Sequence, residues 1–191
     1  MSTSVLWYAT RGAGIVSLIL LTGVVCLGIL TSVRWQFPGW PRFLTAQLHR
    51  SISLLSLVFL AIHIVVAVMD PYTSLGLAAM VPFASSYRTV WLGLGAVALY
   101  LVLAIIGTSL IRGWLGHRAW RIVHWLTYAA WPVAVVHGLG TGSDTGAVWT
   151  WLLNGGCVAV ILGAIAWRVG YADSTQAELA RALPAFERQG R

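Results

Sequence analysis

Four of the five histidines of this chain stand in long apolar stretches. His49 and His63 are fourteen residues apart and His124 and His137 thirteen, with mostly Leu, Ile, Val, Ala and Trp between them. An imidazole can ligate a metal, relay a proton or bond a neighbouring carbonyl in a packed core. The last is the ordinary fate of one buried histidine, but four of them in two pairs of nearly equal separation argue against it. Ionisable side chains are costly in an apolar slab and are functional candidates for that reason. A proton or ion relay would favour carboxylates in the same stretches, and all five acidic residues lie at or beyond their ends. Cys26 and Cys157 sit singly in apolar runs and read as small hydrophobes, not as a disulfide or metal pair.

The elements that position these histidines follow from composition. A chain of 191 residues that is 59% hydrophobic and 9% charged is an integral membrane protein. Crossing a hydrocarbon core of ~30 Å takes about twenty apolar residues. Five such runs occur, Gly12 to Val33, Leu48 to Met69, Val90 to Ile111, Ile122 to Leu139 and Ala147 to Trp167, and they predict an all-α bundle of five transmembrane helices. The first is too long for the apolar part of a signal peptide, and no A-x-A pattern follows it.

Arginine sets the expected orientation, because the chain has no lysine. Arg34, Arg42, Arg50, Arg112, Arg118, Arg121, Arg168, Arg181, Arg188 and Arg191 flank one side, and only Arg11 and Arg88 the other. The positive-inside rule then places the N-terminus outside and the C-terminus in the cytoplasm. Trp7, Trp91, Trp149 and Trp151 mark the outer boundary, and Trp35, Trp40, Trp114, Trp120 and Trp167 the inner one. The net charge of +7 reflects this topology and attraction to anionic membrane lipid, leaving nucleic-acid binding without support. Residues 1–170 are expected to form the membrane domain and 171–191 a short polar cytoplasmic tail, helical or disordered. Gln36 to Pro41 predicts a tight interfacial turn, and the apolar piece Leu75 to Met80 an outer flap. Gly138 to Gly146 has the glycine density of a phosphate loop, but no strand precedes it and a dinucleotide site is discounted.

Both histidine-bearing helices run outward from the cytoplasm, so His49 and His124 share the inner level and His63 and His137 the outer. At 1.5 Å per residue the levels are about 20 Å apart. One ion cannot use both levels, whereas two stacked haems can, each taking one histidine from each helix. Bis-histidine iron suits electron transfer and leaves no position open for O₂ or substrate. At about 100° per residue, His63 returns to within about 40° of His49, but His137 lies about 140° from His124 on a straight helix. Pro132, which cannot donate to the carbonyl of Tyr128, predicts a kink or a change of winding between them. Trp125, Tyr128 and Trp131 are candidates to line the cavity. His117, in the Arg-rich inner loop, is left out of the ligand set.

These residues resemble the ferric-reductase-like transmembrane domain shared by ferric reductases, NADPH oxidases and the bacterial haem-binding membrane subunit of a methionine-sulfoxide reductase system. Such proteins carry a histidine followed by a basic residue and a second histidine fourteen on, as in His49, Arg50 and His63, and a later pair thirteen apart, as in His124 and His137. The bacterial branch has T-S-x(5)-L-G-x-R-x-W-R-x-x-H-x-L-x-Y, matched by Thr108-Ser109, Leu115-Gly116, Arg118, Trp120-Arg121, His124, Leu126 and Tyr128. The resemblance covers residues 10 to 168.

What the resemblance implies is a multi-pass protein of the cell membrane, here a bacterial plasma membrane, acting as the haem b component of an oxidoreductase. His49 and His124 would hold the inner haem and His63 and His137 the outer. The donor would be a separate flavoprotein reductase or quinol, and the acceptor ferric iron or an extracytoplasmic redox protein, with any flavin or quinone supplied by or shared with a partner. Arg50, Arg118 and Arg121 at the inner mouth and Arg88 at the outer one are candidates to pair with haem propionates. Relatives that append a flavin and nicotinamide domain need a Gly-rich turn after a strand; none is expected after Trp167, and one helix fewer than in six-helix members suggests a haem core with one end trimmed. Two other classes use the same residues, a non-catalytic haem-binding subunit or sensor and a histidine-relay transporter.

Overall fold

A computed structural model of the chain describes residues 3–33, 41–70, 76–142 and 144–189, with side chains described from 5 to 171 except at 42. Among the described residues there are helices and turns but no strand. The order is α1 (Thr3–Ser32), α2 (Arg42–Met69), a 3₁₀ helix (Gly76–Met80), α3 (Thr89–Leu110), the single turn α4 (Arg112–Leu115), α5 (His117–His124), α6 (Thr127–Thr141) and α7 (Val148–Gln189). Five segments among these residues are long and apolar enough to cross a membrane: Val5–Ser32, Phe43–Met69, Thr89–Leu110, His117–Thr141 and Val148–Tyr171. The chain is a multi-pass membrane protein. Helix is the state that satisfies every backbone N–H and C=O inside one segment, which hydrocarbon demands.

The five expected runs are all present, with differences at their edges. α1 begins nine residues before Gly12, because Thr3 to Arg11 adds about two and a half further turns outside the apolar run. α7 continues as one helix to Gln189, so the backbone of the tail from Tyr171 is helical. The 3₁₀ helix packs on α2 and α3 and sets Ala79 and Met80 against the central cavity. Leu75 and the turn residues 36–40, with Arg34, Trp35 and Trp40, lie outside the described residues.

α1 packs along α2, and α3 along α5 and α6, so the four spans form two antiparallel hairpins with α7 laid on α1. α2 shows how its sequence sorts two faces. Leu54, Val58, Ile62 and Val65 are exposed in steps of three and four, which is a lipid-facing stripe. His49, Ser53, Ser56, Leu60 and His63 recur in the same steps on the opposite face and line the cavity between the hairpins. Beside that cavity, with Val25 and Trp131 on its wall, Val25, Ile29, Trp131, Val135 and Ile161 form the core that ties α1 to α6 and α7. The Trp131 indole N–H donates to Thr22 Oγ1 at 3.0 Å, fixing α6 against α1 at mid-height.

The fourth span corrects the expectation about Pro132. Pro132 lies inside α6, but the change of winding precedes it, at the joint of α5 and α6. Leu126 N–H bonds Val123 O at 2.9 Å, Tyr128 N–H bonds Trp125 O at 3.0 Å and Ala129 N–H bonds Leu126 O at 3.0 Å, all three-residue closures. Trp125 and Leu126 have ψ of −19° and −15°, which is 3₁₀ geometry. A 3₁₀ helix turns about 120° per residue against about 100° in an α-helix, so about four residues of it add about 80°. That removes more than half of the mismatch between His124 and His137.

Candidate functional site

A cavity of about 830 Å³ opens between the two hairpins, and His49, His63, His124 and His137 all lie on its wall. The ring centres of His49 and His124 are 6.4 Å apart with planes inclined at 68°, and those of His63 and His137 are 6.3 Å apart at 80°. Each pair therefore joins one hairpin to the other, with the same gap at both levels. His117, at the start of α5, is exposed, packs its ring 5.5 Å from that of Trp120 and does not line the cavity.

The rings are held from behind by backbone. His63 Nδ1 lies 2.9 Å from Thr10 O, His49 Nδ1 3.1 Å from Val24 O and His137 Nδ1 2.8 Å from Trp91 O. A carbonyl can only accept, so in all three the proton is on Nδ1 and the lone pair is on Nε2. The residue four places after each carbonyl is glycine: Gly14, Gly28 and Gly95. In a helix that residue's Cβ would stand beside the carbonyl's flank. A Cβ at Gly14 would come within 2.9 Å of the His63 ring, and one at Gly95 within 2.4 Å of the His137 ring; at Gly28 the distance to His49 would be an ordinary 3.6 Å. Thr10 and Gly14 precede Val24 and Gly28 by fourteen residues each, the separation of His49 and His63, so antiparallel α1 carries the complement of α2 in the same register.

His124 is held differently. Its Nδ1 is buried with no hydrogen-bond partner. Trp120 stacks on its ring, with centres 5.0 Å apart and planes at 28°, and the Trp120 indole N–H donates to Ser109 Oγ at 3.2 Å. Between them Gly116, with φ 77° and ψ 153°, turns the chain from α4 into α5 in a conformation that favours glycine.

Among the described residues no three His, Cys, Asp or Glu side chains gather in a metal-binding group. A bare ion between a pair would have two protein ligands only. The arrangement suits a metal that brings its own equatorial donors and needs one ligand above and one below.

The charged candidates are dispersed. Arg50, Arg118 and Arg121 are exposed and do not line the cavity. Arg88 caps the end of α6, its guanidinium donating to Gly140 O at 2.6 Å and Gly142 O at 3.4 Å. The arginine on the cavity wall is Arg11, whose Nε donates to Asp144 Oδ2 at 3.0 Å and whose guanidinium stands 5.9 Å from the Trp149 ring. In the sequence Arg11 bears on orientation alone, although it shares with Arg88 the side expected to be poor in cations. Of the three aromatic candidates, Trp131 lines the cavity, whereas Trp125 is exposed outward and Tyr128 accepts from Arg168 at 3.1 Å.

Comparison with known proteins supplies one match. The family model described as ferric reductase like transmembrane component matches residues 13–135, which takes in His49, His63 and His124 and stops two residues short of His137. No curated protein and no solved structure matches the chain significantly. With more than half of its length covered by that model, the chain belongs to the ferric-reductase-like transmembrane component family.

Proposed function

We propose that this protein carries electrons across the membrane through two b haems, the inner held by His49 and His124 and the outer by His63 and His137. The observation that carries this reading is the equal gap within the two pairs. A metal–imidazole bond is about 2.0 Å and a ring centre lies about 1.1 Å behind its nitrogen, so two imidazoles that face one metal from opposite sides would have ring centres about 6.2 Å apart. The separations of 6.4 and 6.3 Å lie within about 0.2 Å of that value. The glycines that leave room for the rings, the Nε2 lone pairs turned from the carbonyls and the continuous cavity all fit the same group.

When bound, the haems supply one-electron carriers. The chain's own residues keep them so. With one histidine from each hairpin at each level, His49 with His124 and His63 with His137 would hold the group from both sides and leave no position open for O₂ or substrate. The carbonyls of Thr10, Val24 and Trp91 fix the tautomer and orientation of three ligands. Arg11, on the cavity wall, is the cation placed for an outer propionate, whereas Arg50, Arg118, Arg121 and Arg88 stand off that wall and would meet propionates only at the cavity's mouths. Residues 1–170 form the haem-binding domain, with the Arg-rich ends and the tail 171–191 in the cytoplasm. Electrons enter at the inner pair from a flavoprotein reductase or quinol and leave at the outer to ferric iron or a redox protein.

Vesicles reconstituted with the protein and loaded with ferricyanide test this reading. Dithionite added outside should consume the trapped ferricyanide, with charge balanced by a potassium ionophore, and protein-free vesicles should not respond. Retention of the ferricyanide by haem-loaded vesicles would exclude transmembrane transfer. For the orientation, Gln189→Cys in spheroplasts should be closed to an impermeant maleimide; labelling from outside would invert it.

A further inference from the structure

The four imidazoles are not supported alike. Along α3, Trp91 O and Gly95 serve His137, and the same register fourteen residues on falls at Ile105 O and Ser109. By the pattern of the other three sites, His124 would bond Ile105 O past a glycine at 109. Instead Ser109 Oγ donates to Ile105 O at 2.6 Å, and Thr108 Oγ1 approaches the same oxygen at 3.2 Å. The acceptor is occupied, a side chain stands where the other sites have none, and His124 Nδ1 is left buried and unpartnered. Trp120, tethered to that same Ser109, supplies by stacking the orientation that a hydrogen bond supplies elsewhere.

We propose that Ser109 and Trp120 are positioning residues that make the two redox sites unequal, so that the His49–His124 site is the more easily reduced. This rests on the haem reading above. A Nδ1–H···O=C bond makes an imidazole a stronger donor, and a stronger donor favours ferric over ferrous iron. The outer pair has two such bonds and the inner pair one. Electrons delivered at the His49–His124 level would therefore rest there, and passage to the His63–His137 level would be the step that needs a driving force.

A potentiometric titration of the haem-loaded protein tests this. Two one-electron components are expected, and the one missing in His63→Ala, the outer, should be the lower. Ser109→Gly opens Ile105 O to His124 and should lower the inner component while leaving the outer in place; Ser109→Ala, which keeps a Cβ in the way, should lower it less. An unmoved inner component in Ser109→Gly, or a shift confined to the outer one, would overturn the inference. If that variant does not accumulate, the order in the native protein decides it, and an inner component below the outer would count against it. A folded preparation with no haem would instead refute the reading on which it rests.

Discussion

His63→Ala and His137→Ala should each halve the haem content, from about two per chain to about one, and the haem that remains should be the same in both variants. The reason is that each level draws one imidazole from α2 and one from α5 or α6, so losing either ligand of a level leaves iron with a single protein donor. His49→Ala and His124→Ala should remove the other haem. Haem quantified against protein, with the spectrum of the survivor, checks this. A content near two after any of these substitutions, or loss of different haems in His63→Ala and His137→Ala, would break the pairing. His117→Ala should change neither haem, since its ring is exposed and faces Trp120.

Gly95→Ala should nearly empty the outer site although residue 95 is not a ligand. The added methyl would stand 2.4 Å from Cε1 of His137 and 2.5 Å from its Nδ1, inside the ring's own volume, so the ring must leave the Trp91 carbonyl and its place on the cavity wall. Overpacking of this kind costs about 1–3 kcal/mol when the structure can adjust, and the adjustment here is the ligand itself. Gly28→Ala is the internal control. Its methyl would meet His49 at 3.6 Å, which is ordinary contact, and the inner haem should survive with its spectrum little changed. Equal behaviour of the two variants in haem content would show that the glycines do not act by leaving room for the rings.

Much of this architecture was legible in the sequence, because lipid imposes simple rules. The apolar runs had to be helices, and all five are. The levels of the four histidines followed from helical rise, and the structure brings His49 to His124 and His63 to His137. What was not legible depends on what stands opposite. Gly14, Gly28 and Gly95 look like any membrane glycine until the imidazole facing each is known. Ser109, Trp120 and Gly116 were visible as parts of a motif, but their joint action on His124 exists only once α3 and α5 are packed. For the winding between His124 and His137 the sequence points to Pro132, where one hydrogen bond is lost; it occurs at Trp125 and Leu126, whose types give no local signal for 3₁₀ geometry. Arg11 was hidden for another reason: its partner Asp144 is 133 residues away, in the loop before α7.

The most direct test of the central claim is the haem content and spectrum of the native chain, purified from haem-replete cells. Pyridine haemochrome should give about two b haems per chain. The oxidised and dithionite-reduced spectra should be those of six-coordinate, low-spin iron, unaltered by carbon monoxide because both axial positions are filled. A folded protein with no haem, with one, or with a high-spin iron that binds carbon monoxide would contradict the account.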